Sequence, residues 1–130
     1  IVGKTGQNFL LRSRGKFAAA GFLVASVDVA SDHAGGLNAM WRASYDHAQD
    51  VAAVIAWLRK KADVPVWLIG TSTGTISAAN VAARLKAGGA DGLVMTSTFV
   101  PPTSPPPAIE TIVDVGAVAI PTLFVGSGSV

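Results

Sequence analysis

The chain has 130 residues, half of them hydrophobic and 14% charged, with a formal net charge of +2 and a sequence pI near 9.3. That balance excludes a disordered chain, and it is too weakly positive to make a nucleic-acid footprint. The absence of cysteine removes disulfides, thiolate metal sites and cysteine nucleophiles, and no apolar run reaches the roughly 18 residues that span a bilayer.

In chain order, Ile1-Val2 reads as the tail of a strand. Asn8 to Ala20 follows as a helix weakened by Gly15 and ended near Gly21, with Arg12, Arg14 and Lys16 on its wet face. Phe22 to Val27 is a short β-branched run and is read as the next strand. Residues 28–42 form a long loop carrying Asp28, Asp32, His33 and Trp41. Asp46 to Lys61 places Ala48, Val51, Ala52, Ile55 and Leu58 at helical spacing, with Asp46 as the expected N-cap and His47 as a surface or capping residue. Val64 to Ile69 is a strand, Thr73 to Lys86 a helix stopped by Gly88-Gly89, and Leu93 to Met95 a strand. Five prolines between Pro101 and Pro107 forbid regular structure there, so this piece is read as a loop over the carboxyl edge of the sheet. Ile109 to Val118 is read as a short helix and Pro121 to Val125 as a last strand.

Strand and helix alternate, and the strands lack polar alternation. This predicts an α/β chain, a three-layer sandwich with a mainly parallel sheet covered on both faces, over a single domain spanning 1–130. The first residue is Ile1 inside a strand-like run, and Val130 falls just past another, so strands of the sheet are expected to be missing at both ends.

The chemistry concentrates at Gly70-Thr71-Ser72-Thr73-Gly74. A serine hydroxyl becomes a nucleophile only when a base takes its proton and its backbone holds it clear of neighbours. Gly-x-Ser-x-Gly does this with a sharp turn from strand to helix. By chance about 0.1 such match is expected in a chain of this composition, so the setting matters: Val66 to Ile69 ends at the first glycine and a helical pattern begins at Thr73. Both glycines are expected to remove Cβ atoms that would collide with the adjoining elements.

On this motif and the order of elements around it, the chain resembles the central portion of an α/β-hydrolase-fold protein of the serine hydrolase or esterase type. Ile1-Val2-Gly3 resembles the family's third strand and oxyanion loop, Phe22 to Asp28 the fourth strand, Asp91 to Ser97 the sixth, and Ile120 to Gly126 the seventh. The first two strands and the last would then be absent. The resemblance implies Ser72 as nucleophile and the backbone N–H of Thr73 as one oxyanion donor, with a second from Gly3 or Lys4, or from Thr5. It implies an acid and a histidine after Val130. His33 and Phe99 are expected to line the acyl pocket. Glu110 or Asp114 as triad acid and His33 as replacement base are the alternatives within the chain.

The implied activity is hydrolysis of a small-molecule ester-like acyl substrate, carboxylesterase-like, through a Ser72 acyl-enzyme. No cofactor, metal, nucleic acid or membrane span is expected. The chain as written is expected to be poorly active, and its exposed sheet edges could support a homo-oligomer. With no signal peptide visible, a soluble protein of the cytoplasm is the expectation. Two other readings stand beside it. One is a non-catalytic hydrolase-like binding module. The other is a nucleotide-binding domain, in which Gly3-Lys4-Thr5 would end a phosphate loop.

Overall fold

The computed structural model describes residues 8–98 and 108–126. The expected strand at Ile1-Val2, the residues Gly3, Lys4 and Phe99, and the Pro-rich loop lie outside them.

Three short parallel strands form the sheet, β1 (Trp67–Thr71), β2 (Gly92–Thr96) and β3 (Thr122–Val125), hydrogen-bonded in that order. Trp67 is in register with Gly92 and Thr71 with Thr96, while Leu93 faces Thr122 and Thr96 faces Val125. All three strands therefore end at one edge. The helices are α1 (Phe9–Ala19), α2 (Ala39–Arg42), α3 (Tyr45–Lys61) and α4 (Gly74–Arg84).

The core lies between the sheet and α4, with α3 packed against α4 and sharing a cluster with Val66 and Leu68. α4 is nearly surrounded: Ile76, Ala78, Ala79, Val81, Ala82 and Ala83 are all buried. Its run of alanines lets the backbone come close to β1. At Gly70 the approach is so tight that a Cβ would stand 2.6 Å from the Gly74 carbonyl oxygen and 2.9 Å from the Thr75 Cα. β1 supplies Leu68 to this core and β2 supplies Leu93 and Met95. Pleating sends Trp67 and Ile69 to the opposite face, where both are exposed. There the indole of Trp67 lies over Gly92, and a Cβ at Gly92 would meet the ring at 2.5 Å.

Several boundaries differ from the sequence expectation. Helix α3 is capped by Ser44 rather than Asp46: the Ser44 hydroxyl oxygen accepts from the His47 N–H at 3.1 Å. Asp46 sits inside the first turn, where its charge suits the helix dipole. The loop 28–42 contains a 3₁₀ turn at Ser31–His33 and the single turn α2, capped by the Asn38 side chain at 2.8 Å from the Trp41 nitrogen. Residues 109–118 make two 3₁₀ turns, Ile109–Thr111 and Val115–Ala117, instead of one helix. Gly116 and the β-branched residues Ile112, Val113 and Val115 disfavour a continuous α-helix there.

The largest departure is Phe22 to Val27, which forms no strand. Among the described residues it has no ladder partner, and Phe22, Leu23 and Val27 are each more than half exposed. β-branched residues favour an extended chain, but only a neighbouring strand can turn an extended chain into a sheet.

Candidate active site

The nucleophile turn is built from both sides. β1 ends at Thr71, Ser72 follows with φ of 52°, and α4 begins at Gly74 with Thr73 as N-cap. A non-glycine residue in this left-handed region costs about 1–3 kcal/mol and persists only where its surroundings over-determine it. Here they do. The Ser72 N–H donates to the Thr96 carbonyl on β2 at 3.0 Å. The Ser72 carbonyl accepts from the Thr75 N–H at 3.0 Å and from the Thr75 hydroxyl at 2.6 Å. Thr75 is buried, so this second anchor is fixed by packing.

The two glycines of the motif differ in role. Gly70 is required by the close approach just described. At Gly74 a Cβ would meet nothing within 4 Å, so the expectation that both glycines relieve collisions holds for Gly70 alone. The Ser72 hydroxyl makes no hydrogen bond among the described residues. Nor does the Thr73 N–H, at the head of an 11-residue helix that no side chain caps. An uncapped helix N-terminus with a free N–H beside a half-buried hydroxyl can stabilise negative charge developing next to that oxygen.

Among the described residues no base is assembled. No hydrogen bond joins Ser72 to a histidine or a histidine to a carboxylate. Glu110 and Asp114 are both exposed in the segment before β3. No group of three or more His, Asp or Glu could hold a metal, and no helix is long and apolar enough to cross a membrane, both among the described residues.

His33 stacks on Trp41 with ring centroids 3.9 Å apart and planes tilted by 33°. With Gly36, Asn38, Met40 and Ser44 these two rings line an open cavity of about 370 Å³. Ser72 is not among its walls. Asp28 accepts from the Val29 N–H at 2.8 Å, ordering its own loop.

A polar cluster that the sequence does not announce ties this loop to α4. The buried Asn80 side chain donates to the carbonyls of Arg42 at 3.1 Å and Ser44 at 2.7 Å, and accepts from Arg84 Nε at 2.7 Å. Arg42 donates to the Ser77 hydroxyl at 3.0 Å, and burial pushes its pKa down. His47, expected at the surface, is buried on the α3 face that carries Val51. Desolvation lowers its pKa, with the Arg42 charge and His33 adding to the effect and Asp50 opposing it. The clue was available: His47 and Val51 are four residues apart on one helical stripe, and Asn80 interrupts a run of alanines.

The family model described as serine aminopeptidase S33, an α/β-hydrolase-fold family, matches residues 11–129. The chain belongs to this family. It is therefore a hydrolase-type α/β domain, and the three-stranded parallel sheet with flanking helices is part of that fold. No curated protein and no solved structure matches the chain.

Proposed function

We propose that Ser72 is the nucleophile of a serine hydrolase that cleaves an ester-like acyl substrate through an acyl-enzyme. The observation that supports it most is the left-handed Ser72, anchored at both its N–H and its carbonyl between β1 and the head of α4, with its hydroxyl free. In this reading the Ser72 oxygen attacks the acyl carbon and its proton passes to a base. The Thr73 N–H holds the oxyanion, with a second donor from Gly3 or Lys4. The base returns the proton to the departing alcohol, and water then attacks the acyl-enzyme in the same way. This reading requires a histidine and an acid that are not assembled among the described residues. His33, stacked on Trp41, lines a cavity whose walls do not include Ser72.

The test is covalent labelling of the full-length protein by a fluorophosphonate probe. Labelling that disappears in Ser72→Ala supports the proposal. A folded protein that takes no label sinks it and leaves a binding module. Parallel assays with an acyl p-nitrophenyl ester and an aminoacyl anilide separate ester from amide specificity.

A further inference from the structure

Ser97 stands beside Ser72 at the same edge of the sheet. Thr71 and Thr96 are register partners, so Ser72 and Ser97 are the next residues along two adjacent parallel strands. Such strands lie about 4.8 Å apart. Both serines have φ of 52°, and among the described residues they are the only non-glycine residues in the left-handed region. Each is anchored through its N–H to the end of the next strand, Ser72 to the Thr96 carbonyl at 3.0 Å and Ser97 to the Val125 carbonyl at 3.1 Å.

Glycine holds this conformation without steric cost, and Asn or Asp compensates for it with a local hydrogen bond. Ser97 does neither. It is exposed, and its hydroxyl makes no hydrogen bond among the described residues. Strained positions of this kind cluster where a side chain must be presented to a ligand. The strain therefore presents a second free hydroxyl next to Ser72.

We propose that Ser97 is a specificity-determining residue whose hydroxyl donates a hydrogen bond to the acyl part of the substrate attacked by Ser72, favouring acyl groups with a further oxygen close to the reacting carbonyl. The proposal rests on the serine hydrolase reading for its chemistry and on the paired strand ends for its geometry. The spacing of about 4.8 Å is that of the two backbones where the ladder ends, so the proposal takes the acceptor for Ser97 to be close to the carbon that Ser72 attacks. An oxygen on the carbon next to the carbonyl meets this, and the proposed substrate class is 2-alkoxy- or 2-hydroxyacyl esters.

The experiment compares p-nitrophenyl methoxyacetate with p-nitrophenyl butyrate, which differ by one oxygen in place of a methylene. It uses the full-length protein, Ser97→Ala and Ser97→Gly. The ratio of kcat/KM for the two esters cancels their intrinsic reactivity when compared between variants. The expected result is a fall of about tenfold in this ratio in both variants, which is the loss of one hydrogen bond. Thermal midpoints should differ, with Ser97→Gly raised by relief of the positive φ and Ser97→Ala unchanged because it keeps the Cβ, so a shared change in specificity follows the hydroxyl and not the stability. An unchanged ratio in Ser97→Gly overturns the proposal and makes the turn architectural.

Binding keeps the two readings apart. Dissociation constants of ethyl methoxyacetate and ethyl butyrate are measured by NMR titration in Ser72→Ala, with and without Ser97→Gly. If Ser72→Ala still turns over ester, the nucleophile assignment fails, yet a methoxyacetate preference that vanishes with Ser97→Gly still supports Ser97. Equal affinities for both esters, or no binding by the folded protein, overturn the Ser97 proposal whatever Ser72 does.

Discussion

Residues 45–98 are no richer in apolar residues than residues 9–28, yet only the first region becomes a core. In the first, Ala48, Ile55, Ile76 and Leu93 are almost wholly removed from water, and two strands pair through a crossover helix. In the second, α1 buries no residue, and Phe22 to Val27 leaves its large side chains in solvent. Hydrophobic composition is the same driving force in both. The difference is the partner: a parallel strand needs a neighbour that is remote in sequence, and among the described residues that neighbour exists for β1 and not for Phe22 to Val27.

The contrast can be broken most directly at Gly70. Gly70→Ala drives a Cβ into backbone on α4 that cannot move without parting the helix from β1, so a loss of about 4 kcal/mol or more is expected in urea unfolding. Gly74→Ala, with nothing within 4 Å, should stay within about 1 kcal/mol of wild type and gains helix propensity. Equal losses at the two sites would mean that the close approach of β1 and α4 is wrong.

Ile76→Ala comes next, at about 2–5 kcal/mol, because it empties a site that is 2% exposed between helix and sheet. Asn80→Ala should cost about 1–3 kcal/mol by stranding the Arg42 and Ser44 carbonyls, and hydrogen exchange should quicken first in residues 39–47.

A smaller effect is the pH dependence carried by His47. Its folded pKa lies below the ordinary 6.5, chiefly from desolvation, so the unfolded chain binds more protons in the window below 6.5. Stability from this group is complete above pH 6.5 and is lost as pH falls through the folded value. His47→Gln should flatten the slope of unfolding free energy against pH in that window, and a slope that survives the substitution assigns it elsewhere. Asp91 acts in the same direction at lower pH. The Val66 N–H and then Arg59 hold its carboxyl below the usual range, but its exposure makes the contribution slight.

The smallest expected change sharpens the comparison from the other side. Leu23→Ala should alter stability by less than about 0.5 kcal/mol, since Leu23 is 56% exposed. A loss as large as that of Ile76→Ala would show Phe22 to Val27 packed against chain outside the described residues.

Local rules made much of the molecule legible from the sequence. Helical spacing of apolar residues located α3, glycines marked the ends of α1 and α4, and short apolar runs located all three strands to within three residues. The turn at Ser72 was legible because Gly-x-Ser-x-Gly between a strand and a helix leaves the backbone few other conformations. The tertiary structure decided what depends on remote neighbours. It left Phe22 to Val27 unpaired, because a ladder requires a second strand. It made Gly70 indispensable and Gly74 not, because only Gly70 faces another backbone. It buried His47 and Asn80, because α2 folds back over α3 and α4. And it set Ser97 beside Ser72, because register between parallel strands is fixed by packing 25 residues away in the chain and is written in neither segment alone.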